Sequence, residues 1–257
     1  ILDFNDTKIP GVPISYRFNG DRLRLGFESM MLTSDPGPFA PARAAAQRTQ
    51  TRANLKLIAL GMHAYHGAHK ALPAAALTDI VGAGAKPLLS WRVAILPFIE
   101  QGELYRQFKL DEPWDSEHNK KLIEKMPAAF RTPGAPNAKP GMTHYQVFVG
   151  PGTAFEPRND RRHGRTFLEF PDGTDTLLVV EGTNAVLWTK PDDLPFDPKQ
   201  PLPKVGLDAD SIDVAFASPA VISLPRTIAA NELKALITRN GNETVGAIKP
   251  VGISDAP

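Results

Sequence analysis

Proline punctuates this chain almost throughout: 25 of its 257 residues are proline, about twice the usual ~5%. A ring that fixes φ and removes an N–H donor is excluded from helix interiors and central strands, so a helical bundle is ruled out. The longest stretch to escape is 42–72, where alanine, arginine, glutamine and leucine dominate. That is strong helix composition, and a helix is predicted over 42–69, stopped by Pro73. Leu55, Ile58, Met62 and Tyr65 recur at helical spacing as one apolar stripe, while Arg43, Arg48 and Arg52 make the early turns basic and solvent-facing. The expected class is therefore α+β: a long N-terminal helix packed on an antiparallel sheet, with many proline-rich loops.

Before that helix, residues 14–18 and 22–27 alternate polar and apolar around Asn19-Gly20-Asp21, a strong hairpin signal because Asn and Gly accept the positive φ of a tight turn. A linker follows at 34–41 with three prolines in eight residues. Two strands do not stand alone, so residues 1–41 are read as a hairpin and linker ending an upstream domain, and 42–257 as the main domain. The chain opens without methionine or a signal peptide and is read as an excised portion of something longer. Downstream, short helices are expected over 100–108 and 116–125, the latter with Ser116 as N-cap. Strands are expected at 143–149, 166–170 and 176–181. A hairpin pairs 212–217 with 220–224, and a last helix at 232–238 is capped by Asn231 and ended by Gly241.

The charge count, 29 basic against 28 acidic, leaves no global field to hold nucleic acid or an anionic membrane. No stretch reaches the ~18 consecutive apolar residues of a membrane span. The absence of cysteine removes disulfides, thiolate metal sites and cysteine nucleophiles together. There is no nucleophile elbow, phosphate-binding glycine loop or His-Glu-x-x-His motif, so no enzyme activity and no catalytic residue are assigned. Paired glycosidase carboxylates leave no local signature, which keeps a hydrolytic reading in view.

His63, His66 and His69 recur every third residue, but at about 100° per residue they wind around the helix and cannot converge cleanly on one ion, so they are read as polar groups at a frayed helix end and not as a metal site. Hard cations take several carboxylate oxygens, which makes Asp172, Asp175 and Glu181 the candidate ligands for calcium, the one cofactor considered. Turn-forming aspartates are the alternative for the first two. The basic run Arg158, Arg161, Arg162, His163 and Arg165 suits either a phosphate or a partner's acidic face, or is a solvated loop. Trp91, Trp114 and Trp188 sit among charged residues, so either they stack on a glycan with Asp115 and Asp192 as polar partners, or they anchor the core.

The order of motifs resembles a known family. Asn54-Leu55-Lys56, His63-Ala64-Tyr65-His66, Leu72-Pro73, Ser90-Trp91-Arg92, Pro113-Trp114-Asp115, Thr143-His144-Tyr145, Asp172-Gly173-Thr174-Asp175, Trp188-Thr189-Lys190-Pro191-Asp192-Asp193 and Leu236-Ile237-Thr238-Arg239-Asn240-Gly241 are similar to the planctomycete domain of unknown function 1559. The resemblance spans about 45–245 of this sequence. It implies a pseudopilin-like fold, a place in the periplasm or at the cell surface, and protein partners in a larger envelope or surface assembly; the family has also been labelled solute-binding. This chain departs from the pattern by lacking an apolar helix before Ala42, and by having Phe216-Ala217-Ser218-Pro219 where the family closes on Asp-Gly. Two functions follow: a noncatalytic structural or interaction module, and a ligand-binding domain for a glycan or small solute.

Overall fold

A computed structural model of the protein describes residues 7–8, 14–19, 22–27, 39–135, 139–208 and 210–241. The chain divides into two units, Ile1–Gln47 and Arg48–Pro257. In the first, β1 (Thr7–Lys8), β2 (Ile14–Asn19) and β3 (Arg22–Phe27) form an antiparallel sheet in that order. Ile14 pairs with Phe27 and Asn19 with Arg22, so the two strands are those expected but Asn19 belongs to the strand and not to the turn. The turn residues Gly20 and Asp21 and linker residues 34–38 lie outside the described residues.

Helix α1 (Ala40–His69) begins two residues ahead of the predicted start and takes in Pro41, which costs nothing in a first turn because an N–H there would have no intrahelical partner to lose. The chain leaves the helix through Lys70, whose φ of 61° is left-handed and whose N–H closes on the His66 carbonyl at 2.7 Å. Next come β4 (Ala76–Thr78) and β5 (Pro87–Ser90), an antiparallel pair. The apolar run after residue 88 then breaks into three pieces. Ser90 ends the strand and caps α2 (Trp91–Ala94) by accepting from the Arg92 N–H at 3.2 Å, and a 3-10 turn follows at Leu96–Ile99. The short helices expected next are α3 (Gly102–Tyr105) and a 3-10 segment at Asn119–Lys125, whose Asn119 N–H donates to Ser116 Oγ at 3.0 Å.

The main sheet is built from β6 (Met142–Gln146), β8 (Leu177–Leu187), β10 (Ser211–Phe216) and β11 (Val221–Pro225) in the antiparallel order β11-β10-β8-β6, with β7 (Phe148–Val149) and β9 (Leu194–Pro195) a separate parallel pair. Residues 48–69 of α1 lie on one face. Leu55, Ile58, Met62 and Tyr65, the predicted stripe, are buried there with Val179, Ala215 and Ala217. The other face carries Val180, Ile212, Val214 and Leu224 against Leu233, Leu236 and Ile237 of α4 (Ala230–Ile237). A helix on each side makes this sheet an interior layer.

One row across the α1 face is polar. Tyr145 pairs with Glu181, Val180 pairs with Val214 and so sets Glu181 beside Asp213, and Asp213 pairs with Ser223. Thr51 Oγ1 donates to Glu181 at 3.4 Å and Asn54 Nδ2 to the Tyr145 hydroxyl at 3.3 Å, while the Ser223 hydroxyl donates to Asp213. Burial, and then the neighbouring Asp213 charge, pushes the Glu181 carboxyl up to about 7. Burial raises Asp213 as well.

Three expectations are corrected. Residues 166–170 form no strand: the Thr166 N–H donates to Glu169 Oε2 at 2.9 Å, winding Phe167–Glu169 into a 3-10 turn that leaves Leu168 94% exposed. Asn231 does not cap α4, which starts at Ala230 with the Ala229 N–H held by Glu232 at 3.2 Å. Nor does Gly241 end that helix, since the Arg239 N–H instead bonds the Gly152 carbonyl at 2.8 Å.

Candidate functional site

Two features dominate the region where β5, α2 and β6 meet. The first is a buried ion pair. Arg92, fully buried, donates through Nη2 to Asp193 Oδ1 at 2.8 Å, to the Tyr145 carbonyl at 2.7 Å and, through Nη1, to Ser90 Oγ at 2.7 Å. Asp193 also accepts from the Trp91 indole N–H at 3.2 Å and from the Val147 N–H at 3.0 Å. Burial alone drives both groups towards neutrality, and their contact opposes that shift. With every strong donor and acceptor engaged, the pair locks α2 to the end of β6 and to the chain entering β9. It leaves nothing over for a ligand.

The second feature is a cavity of about 580 Å³ beside β6, the edge strand of the main sheet. Met126, Ala135, Pro140, Met142 and Ala185 give it apolar walls, with Glu124, Arg131, Thr132, Lys139 and His144 as its polar lining. Gly141, at φ +75°, turns the chain along the wall, and a Cβ there would stand 2.4 Å from Ile123 Cγ2. His144 is the group that the fold positions most firmly. It is 6% exposed, its backbone N–H donates to Thr132 Oγ1 at 3.1 Å, and its Nδ1 lies 2.9 Å from the Gly182 carbonyl. A carbonyl only accepts, so Nδ1 donates, and the tautomer compatible with that bond has its lone pair on Nε2. Nε2 has no hydrogen-bond partner among the described residues.

The motifs at the ion pair fall inside a longer match. The sequence model of a family described as "Protein of unknown function (DUF1559)", short label SBP_bac_10, matches residues 40–193. The chain belongs to the DUF1559 family. Neither the curated proteins nor the solved structures contain a match to it. The matched segment of this DUF1559 member runs from α1 through Asp193, and so includes both halves of the ion pair and the described cavity lining. β10, β11 and α4 lie beyond it.

Most of the residues singled out by sequence are not brought together. Trp91 and Trp188 are both fully buried. Trp91 meets Phe130 edge-on at 6.2 Å, and Trp188 stacks on Phe130 at 5.8 Å with its indole N–H on the Ile123 carbonyl at 2.9 Å. Neither ring offers a face to a glycan; the core-anchor alternative describes them. Trp114 is half-buried with Lys190 Nζ 5.8 Å over its ring, and Lys190 pairs with Asp192 at 2.8 Å, so these three do form a small surface cluster. Asp115 is exposed.

The calcium ligands are dispersed. Asp172 accepts from the Gly241 N–H at 2.6 Å, Asp175 lies exposed in a 3-10 turn, and Glu181 is buried under α1. Among the described residues no group of three His, Asp or Glu side chains is placed to hold an ion. The histidines also diverge: His63 bonds the Ala217 carbonyl at 2.6 Å, His66 the Thr166 hydroxyl at 3.1 Å, and His69 faces His163. The basic run is matched by internal carboxylates, Arg165 with Glu156 at 3.2 Å and Arg161 with Asp111 at 3.7 Å among them.

Sequence reasoning missed Arg92, Asp193 and His144 as key residues. A lone arginine inside Leu88-Leu89-Ser90-Trp91-Arg92-Val93-Ala94-Ile95-Leu96 was a readable signal, because a cation in so apolar a run requires a buried acid. His144 carried no such signal, since its role depends on a strand edge and three separate loops.

Proposed function

We propose that this DUF1559 chain is a noncatalytic binding module that seats a small solute in the cavity beside β6. The observation that carries the reading is the buried His144, held on one side by the Gly182 carbonyl, with Nε2 free of partners on the other. The cavity volume lies within the ~300–1,000 Å³ of small-molecule sites, and its lining combines apolar walls with polar groups that could orient a solute. Nε2 would accept a hydroxyl or N–H from the solute, and the methionine walls would cover an apolar body. A binding role rather than a reaction is supported by the imidazole's surroundings: no carboxylate or hydroxyl of the described lining bonds its ring. The family's short label is of solute-binding type, which agrees with this reading. An extracytoplasmic setting within a larger envelope or surface assembly belongs to the same proposal and rests on the family resemblance.

The test is ligand-observed NMR with a panel of monosaccharides, aromatic alcohols and small amines. A solute that binds the native chain should lose about tenfold in affinity with His144→Ala. It should lose binding altogether with Ala185→Phe, which fills the cavity from the half-buried wall of β8. If the whole panel fails to bind, or Ala185→Phe binds as well as the native chain, the reading is wrong.

A further inference from the structure

The 3-10 segment Asn119–Lys125, which supplies Glu124 to the cavity, also forms one wall of a separate groove of about 490 Å³. Its opposite wall is the chain after α3. Arg106, Lys109, His118, Lys121 and Lys125 line it, above a floor of Phe108 and Leu122, and no carboxylate of the described residues lines it. The walls are stitched together. Asn119, fully buried, accepts from the Lys109 N–H at 3.0 Å and donates to the Lys109 carbonyl at 2.9 Å and the Glu112 carbonyl at 3.0 Å. His118 Nε2 donates to the Gln107 carbonyl at 2.7 Å, and Lys125 Nζ to Gln107 Oε1 at 2.7 Å.

The charge in this groove is only partly neutralised. Arg106 pairs with Glu103, and Lys109 with Glu112 at 2.8 Å. Lys125, by contrast, bonds a neutral amide, and Lys121 has no ion-pair partner among the described residues. Concave basic surfaces with low-dielectric walls focus positive potential. Three of the four fixed cations are lysines, whose ammonium groups act as point charges suited to the spread oxygens of phosphate or sulfate; a planar carboxylate is matched better by paired arginine forks.

We propose that this groove is an anion site for a sugar-sized phosphate or sulfate monoester, with the ester between Lys121 and Lys125 and the body over Phe108 and Leu122. The site is independent of the solute cavity.

Titration calorimetry of the full chain with glucose 6-phosphate, glucose 6-sulfate and glucose, at low and at physiological salt, tests it. At least one ester is expected to bind, more weakly at higher salt, and glucose is not. Lys121→Glu/Lys125→Glu should weaken the ester by tenfold or more, and the milder Lys121→Gln/Lys125→Gln by less. Lys120→Glu, a charge reversal in the same segment but outside the lining, should leave it nearly unchanged. Binding of one ester alone supports the site and identifies which source it serves. The proposal is overturned if neither ester binds at low salt, if glucose binds as well, or if Lys120→Glu weakens binding as much as the double reversal. Ala185→Phe, which blocks the cavity, should not alter ester binding, so the two sites stand or fall separately.

Discussion

Asp193 accepts hydrogen bonds from Arg92, the Trp91 indole and the Val147 backbone inside a region closed to water. Asp193→Ala strands a buried guanidinium and two further donors, and should lower unfolding free energy by about 3–5 kcal/mol, read as a lower urea midpoint. Replacing both charges, as Arg92→Met/Asp193→Leu, should recover part of that loss. Full recovery is not expected, because the Trp91 N–H and the Tyr145 carbonyl lose their partners too. Lys70 offers a change of opposite sign. Its φ of 61° closes α1 in a conformation that favours glycine, so Lys70→Gly should raise stability by about 0.5–1 kcal/mol, visible as a higher melting temperature. At this scale the sequence was partly legible. The stripe from Leu55 to Tyr65 could be read because helical spacing alone decides which side chains share a face. The tryptophans could not: burial of a ring depends on partners such as Phe130 and Phe155, far away in the chain.

The contact between α1 and its sheet should respond to pH. Glu181 is pushed by burial up to about 7 from its ordinary value of 4.5, with Asp213 beside it and Arg48, Arg52 and Asp208 in the surrounding field. Because the folded-state value is raised, the folded chain binds the proton more tightly than the unfolded one between about 4.5 and 7. This group's contribution to stability is therefore complete below about 4.5, declines as pH rises, and is gone above about 7, a change on the order of 3 kcal/mol. Asp213, raised by burial too, acts with the same sign at its own pH. Thermal melts of the native chain across this window should show the decline, and Glu181→Gln should flatten it; an unchanged slope would refute the assignment. Element types were legible where length or turn chemistry was decisive, as in α1 and the hairpin of β10 and β11. They were not legible at 166–170, whose apolar and branched residues suit a strand. There the Thr166 and Glu169 side chain contact outweighed propensity, and the exposed Leu168 gave no face to bury.

For the molecule as a whole, the division between Gln47 and Arg48 runs through α1, while the family match begins at residue 40. A polypeptide beginning at residue 39 is expected to fold by itself and to melt within a few degrees of the full chain; a broad, uncooperative transition would show that the first strands are needed. The α+β architecture was legible from proline content and one proline-free stretch. The cavity was not, because it is assembled from loops whose spacing in sequence carries no period. The polar row beneath α1 has a thermal consequence. Exposing hydrocarbon raises heat capacity, whereas exposing polar groups lowers it. Detaching the turns around Thr51 and Asn54 uncovers the Glu181 carboxyl and the Tyr145 hydroxyl, whose polar contribution offsets much of the apolar one. Detaching the turns from Ile58 to Tyr65 uncovers mainly apolar surface. Native-state hydrogen exchange over a range of temperatures should therefore find the first opening nearly linear in temperature and the second distinctly curved, so that the two halves of one helix loosen by different thermodynamic rules.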